Sequence, residues 1–243
     1  MDRLSPCQNQ KKNVIDPQSV IEMYGADAVR WFVLSDSPPE RDIQWSDEGI
    51  SGSYKFIQKI WNISERINSI QKKDSLTNKI KNDLNKLINK LIKEVTYNID
   101  HFHFNVAVAK FYEFINSLSK ILSEHESSKE QYQNIFKQFL VIIYPFLPHL
   151  ASECWERITQ QQNLHIQSWP TYDENLLKVE EINLVIQING KKRAILKVKP
   201  NIEEKTLFDM SLDLDNVKKF VENKKIVKKI YVKNKLINFV IAE

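Results

Sequence analysis

Apolar residues return every three or four positions through the middle of this chain. Phe56, Ile60, Ile63, Ile67 and Ile70 stripe one face of a helix that turns once per 3.6 residues. Comparable stripes recur at Ile80, Leu84, Leu87, Leu91 and Val95, and at Phe104, Ala107, Phe111, Phe114, Leu118 and Ile121. A fourth, through Ile135, Phe139 and Ile142, follows Ser128, which with Gln131 reads as a capping box. Pro145 and Pro148 force a break, because proline offers no amide hydrogen and crowds the preceding turn. Leu150, Trp155 and Ile158 then resume the helical period. Residues 53–167 are therefore predicted as a bundle of three to five antiparallel helices with short polar links.

The pattern changes on both sides of that bundle. Upstream, residues 13–52 read as a helical connector. Pro17 suits a first helical position, Val20, Ile21 and Tyr24 form an apolar side, and Gly25 suits the stop. Ala28, Val29, Phe32 and Val33 predict a second helix ended by Ser37-Pro38-Pro39. Residues 42–45 read as a short extended piece and Ser46 as a helix start, with Asp47 and Glu48 in its first turn. Trp31, Phe32 and Trp45 are expected in the core.

Downstream, residues 168–181 read as a linker, and the period shifts from helical to alternating. Leu184–Ile188 is strand-like, Asn189-Gly190 is a strong short hairpin signal, and Ala194, Leu196 and Val198 alternate with basic residues on the return. Helices are predicted at 203–212 and 215–223, the second capped by Asp215. Strands at 226–232 and 236–241 flank a turn at Asn234-Lys235. The order β-β-α-α-β-β makes residues 182–243 a small α/β domain behind a mainly α chain.

Composition adds exclusions. With 42% hydrophobic residues, 243 positions can bury a substantial core in one to three domains. Two cysteines, Cys7 and Cys154, give no disulfide framework, and Cys154 reads as a small core residue. The five histidines lack the neighbours of a metal site. No segment approaches the roughly 20 apolar residues of a membrane span, and the leader at residues 1–12 has no signal-peptide core, so a cytoplasmic protein is expected. Net charge is +4, but residues 182–243 hold 14 Lys and Arg against 7 Asp and Glu, so the surplus is confined to the last quarter. A phosphate-facing module needs such an excess, and a solvated lysine-rich surface shows it too.

Specific motifs narrow the choice. The run from Lys12 to Trp61, with DSPPERDIQWSD at its centre, resembles the segment after the Lys-Met-Ser-Lys-Ser loop of leucyl-tRNA synthetases, which are class I aminoacyl-tRNA synthetases. HFHFNVAVAKFYEFINSL and PFLPHLASECWERI resemble two segments of the anticodon-binding bundle in the class I enzymes for aliphatic amino acids. VIQINGKKRAI resembles the VQVNGKxRG motif of the bacterial leucine enzyme's C-terminal domain, with Ala194 where the family usually has glycine. The isoleucine and valine relatives end instead in a zinc module or a coiled coil. The resemblance covers nearly everything after Lys11 and implies a C-terminal portion only, with tRNA(Leu) as partner. Lys55 and Lys59 fall where the family places basic contacts to tRNA, and Lys191, Lys192 and Arg193 are expected at an exposed hairpin tip that meets phosphates.

At the leading end the frame of the Lys-Met-Ser-Lys-Ser loop falls on Pro6, Cys7, Gln8, Asn9 and Gln10, so both lysines are replaced. Lys11, Lys12 and Asn13 are the candidate remnant of that ATP-contacting loop. Asn9 cannot supply the positive charge that stabilises phosphoryl chemistry at that position. No upstream nucleotide fold or editing domain is expected, and no catalytic residue is intact. The 243 residues hold no cofactor of their own, while ATP and magnesium are expected for the complete enzyme. Three readings compete. One is a portion of a leucine-tRNA ligase completed by a separate chain carrying catalytic and editing domains. The others are a freestanding tRNA-binding module and an inactive truncated remnant.

Overall fold

The computed structural model describes residues 15–71, 75–126, 128–178, 182–222 and 224–242. The chain forms two compact units, Met1–Leu177 and Lys178–Glu243. The first is helical and the second is a sheet with helices, the mainly α architecture with a small α/β domain that the patterns predict.

The first unit opens with helix α1 (Pro17–Tyr24), whose Asp16 carboxylate accepts hydrogen bonds from the Gln18 and Ser19 amides at 3.1 and 3.3 Å. Gly25, at φ +84°, closes α1 and leads directly into α2 (Ala26–Asp36). Residues 42–45 form no strand, so the extended piece expected there has no ladder partner. Ser46 starts α3 (Asp47–Ser69) by accepting from the Gly49 amide at 3.1 Å. Gly49 also permits close packing: a methyl group there would lie 2.6 Å from the Phe32 ring. Helix α3 runs unbroken across positions 52 and 53, fusing the expected connector to the bundle.

The rest of the bundle is α4 (Asn78–Asp100), α5 (Phe104–Glu124), α6 (Lys129–Ile143) and α7 (Pro148–Thr159). The predicted stripes face inward: Phe56, Ile60, Ile67, Leu84, Leu91, Phe111, Phe114, Leu118, Phe139 and Ile142 are all buried in one core. The capping box at α6 does not form. Ser128 occupies the cap position without a side-chain bond to the helix, and the Gln131 Oε1 is buried without a partner. Residues 168–177 are not free linker either. The Trp169 indole donates to Thr96 Oγ1 at 2.8 Å, the Asp173 amide to Asn89 Oδ1 at 2.7 Å, and a 3-10 turn at Glu174–Leu177 packs on α4. Polar side chains on α4 hold this stretch, which is why apolar periodicity gave no sign of it.

A pair of opposite charges on α2 grips the α6–α7 corner. The buried Asp27 carboxylate accepts from the Leu150 amide at 2.7 Å and the His149 amide at 3.4 Å, with His149 Nδ1 2.9 Å away. It thereby caps α7 from another helix. One turn along, Arg30 donates to the carbonyls of Pro145 at 2.7 Å and Phe146 at 3.3 Å, just past the end of α6. Each charge faces the helix terminus of opposite partial charge. Asp27→Ala is expected to destabilise the first unit by roughly 2–3 kcal/mol, the scale of a lost cap together with a charge-assisted bond. Thermal unfolding followed by circular dichroism checks this, and Asp27→Asn, which keeps one acceptor oxygen, should cost less.

The second unit is a four-stranded sheet, order β2-β1-β4-β3, built from β1 (Ile182–Ile188), β2 (Lys191–Val198), β3 (Ile226–Val232) and β4 (Leu236–Ile241). Both hairpins are antiparallel, and β1 and β4 meet in parallel at the centre. Leu184, Ile186 and Ile188 alternate inward with Ile237, Phe239 and Ile241 to pack beneath α8 (Glu204–Leu212) and α9 (Asp215–Val221). Asp215 lies one place inside α9, with Leu214 at the cap, so it complements the helix dipole from the first turn instead of capping. Among the described residues no helix is long and apolar enough to cross a membrane.

Candidate nucleic-acid interface

Two cationic surfaces stand out, one in each unit. On the first, Lys55, Lys59, Asn62 and Arg66 follow a four-three-four spacing along α3 and line an open groove of about 310 Å³, closed on its far side by Ser119 and Leu122 of α5. Lys55 is exposed. Lys59 is half-buried and donates to Asn116 Oδ1 of α5 at 2.6 Å, which fixes its ammonium on the groove wall. Arg66 pairs with Glu126 at 3.4 Å, both side chains about 40% exposed, so that bond is weak and exchangeable. Asn62 and Arg66 were not singled out from sequence. Their signal was there in the continuation of the Lys55–Lys59 spacing. A larger cavity of about 410 Å³ lies among Leu34, Ile99, Phe104, Phe146 and Trp169, but its lining is mostly apolar and its Arg30 is engaged with the corner carbonyls.

On the second unit the basic residues sit on a braced hairpin. Asn189 and Gly190 both take positive φ, +50° and +78°, as a two-residue turn matched to strand twist requires. The Asn189 side chain accepts from the Ile241 amide at 2.9 Å and donates to the Ile241 carbonyl at 3.4 Å, its own amide donates to the Phe239 carbonyl at 3.0 Å, and the Gly190 amide donates to Asn238 Oδ1 at 3.1 Å. The turn is thus bound to β4, and its conformational entropy is already spent before any ligand arrives. Lys191 and Lys192 are exposed beside it.

Arg193 departs from the expected exposed tip. Ile186 pairs with Ala194 while Gln187 pairs with Lys192, so Arg193 is the extra residue of a β-bulge. It is half-buried, with its guanidinium 3.9 Å from the ring centroid of Phe220 on α9. Ala194 keeps a negative φ and an ordinary place in the ladder, so the family's usual glycine is not required there.

Pro6, Cys7, Gln8, Asn9, Gln10, Lys11, Lys12 and Asn13 lie outside the described residues. Cys154 is buried, and burial pushes its thiol up to about 11, so it stays protonated and packs as an apolar group. Among the described residues no group of three or more His, Cys, Asp or Glu is placed to hold a metal ion.

Comparison with known proteins gives this architecture a class. Residues 81–208 match the model of the anticodon-binding domain of tRNA ligases, and residues 7–46 match that of class I tRNA synthetases for I, L, M and V. The chain belongs to the family of tRNA ligase anticodon-binding domains. Its relatives include the leucine–tRNA ligases of Petrotoga mobilis, 38% identical over 95% of this chain and 29% of that protein, and of Thermotoga maritima, 36% identical over the same shares. It thus spans less than a third of the length of these relatives. The LeuRS agnB2 of Agrobacterium radiobacter K84, solved in a ternary complex with tRNA and LeuAMS, superposes on 98% of this chain and 31% of its own, with a TM-score of 0.74 and 25% identity. Methionyl-tRNA synthetase of Mycobacterium tuberculosis shares the fold over 59% of this chain, with a TM-score of 0.51.

Proposed function

We propose that these 243 residues are the tRNA-holding part of a leucine–tRNA ligase and act on tRNA(Leu). The observation that carries this reading is the braced basic hairpin: Lys191 and Lys192 exposed beside a turn already fixed to β4, and Arg193 next to them in the bulge, none of the three in an ion pair among the described residues. Such a device suits the phosphate backbone, because cations that need not break an ion pair can displace its counterions directly. The α3 groove, with Lys55, Lys59 and Arg66, offers a second row of phosphate contacts. Adenylate formation, with its ATP and magnesium, and editing belong to catalytic and editing domains, in the same polypeptide or in a separate chain.

The test has two arms. The purified chain should bind tRNA(Leu) in a filter-binding titration, with affinity that falls as salt rises. It should show no leucine-dependent exchange of pyrophosphate into ATP, since Asn9 stands in the frame of the signature lysine. Absence of tRNA binding at low salt would overturn the reading, and exchange above background would overturn its division of labour. Leucylation restored on mixing with a chain bearing the catalytic and editing domains marks a ligase portion. Binding without restoration marks a freestanding module.

A further inference from the structure

We infer that Phe220 is a positioning residue for RNA binding: with the β-bulge at Arg193 it holds the guanidinium as a fixed fork for one phosphate of the RNA backbone. This rests on the tRNA-binding reading above and adds to it a residue on a different element, far from the hairpin in sequence.

Three observations converge. The bulge leaves Arg193 without a ladder partner and turns it from the expected tip toward α9, so its direction is set by backbone register rather than by solvent. Phe220 lies under the guanidinium at 3.9 Å and is itself 38% exposed as a residue, so the stack sits at the surface where a large anion can reach it. The Arg193 Nε is buried and has no hydrogen-bond partner, and the side chain makes no ion pair among the described residues. The buried Nε is out of a phosphate's reach, so the contact falls to the two terminal nitrogens, whose parallel N–H groups match two phosphate oxygens at the edge of a guanidinium whose face Phe220 already covers. Exposed Lys191 and Lys192 beside the fork add charge without geometry, which suits a backbone contact and carries no base selectivity.

Filter binding of tRNA to the full chain at fixed low salt tests this, with circular dichroism melts as the fold control. Arg193→Ala should weaken binding about tenfold. Phe220→Met, which keeps apolar bulk and removes the ring, should weaken it about threefold to fivefold, while Phe220→Tyr keeps wild-type affinity. The double variant Arg193→Ala with Phe220→Met should bind no worse than Arg193→Ala alone, since the ring acts only through the arginine. Unchanged affinity in Phe220→Met alongside a weakened Arg193→Ala removes Phe220 from the site and leaves the hairpin reading standing. Losses that multiply in the double variant make the two residues independent and likewise overturn the inference. Unchanged affinity in Arg193→Ala itself defeats the fork and the underlying assignment of the contact together. If Phe220→Met melts early, Phe220→Tyr decides, because a tyrosine variant with intact melting and weakened binding contradicts a role confined to stacking.

Discussion

Trp31→Ala is expected to lower the stability of the first unit by about 3–5 kcal/mol, the range for removing a large buried aromatic side chain. Trp31 has no exposed surface and sits where the connector meets the bundle. Its ring stacks on Phe56 at 4.8 Å and meets Phe111, Tyr112 and Phe146 at 5.8 to 6.2 Å, contacts that reach α3, α5 and the α6–α7 corner together. The indole N–H donates to Tyr112 Oη at 3.1 Å, so truncation also leaves a half-buried hydroxyl without its donor. For a unit of this size the loss corresponds to a fall in melting temperature of roughly 6–20 °C. Trp31→Phe keeps a ring in the stack and gives up the hydrogen bond, and should cost about 1–2 kcal/mol. A melting curve for Trp31→Ala within a degree or two of wild type would mean that the connector is not part of the cooperative core.

That core shows what a sequence of this kind reveals. Burial of Phe56, Ile60, Phe111 and Phe139 was legible because a helix converts burial into a three-four spacing, and spacing is visible in one dimension. Asn189-Gly190 was legible for a related reason: only a few residue types tolerate two positive φ angles in succession. The Asp27–Leu150 and Arg30–Pro145 bonds were not, because they join residues 123 and 115 positions apart, and a lone Asp or Arg on a helix looks like any solvated charge. The parallel pairing of β1 with β4 was hidden likewise, since strand order is fixed by the crossover through α8 and α9 and not by the strands' own alternation. Of the candidate site, the lysines and Arg193 could be named from their motif. The direction of Arg193 could not, because it depends on a one-residue bulge and on a phenylalanine 27 positions away.

A chain ending at Glu181 is expected to keep its helical unit and lose most of its affinity for tRNA. The helical core draws on residues 31 to 164 and includes nothing from 182–243, so the melting transition of the first unit should persist. What disappears is 14 Lys and Arg against 7 Asp and Glu, and with them the braced hairpin. If Lys191, Lys192 and Arg193 each neutralise one phosphate, the slope of log affinity against log salt should become shallower by roughly 2–3, and affinity at low salt should fall on the order of a hundredfold. Residual binding should remain through Lys55, Lys59 and Arg66 along α3, and substituting those three in the shortened chain should abolish it. The two surfaces differ in how charge is held, which sets the expected ranking. The hairpin cations make no ion pair among the described residues, whereas Lys59 is bound to Asn116 and Arg66 to Glu126, bonds that must break or be shared before a phosphate is gripped. A salt titration of the shortened chain that overlays the full chain in both affinity and slope would make the C-terminal unit a solvated basic surface and move the whole interface onto α3.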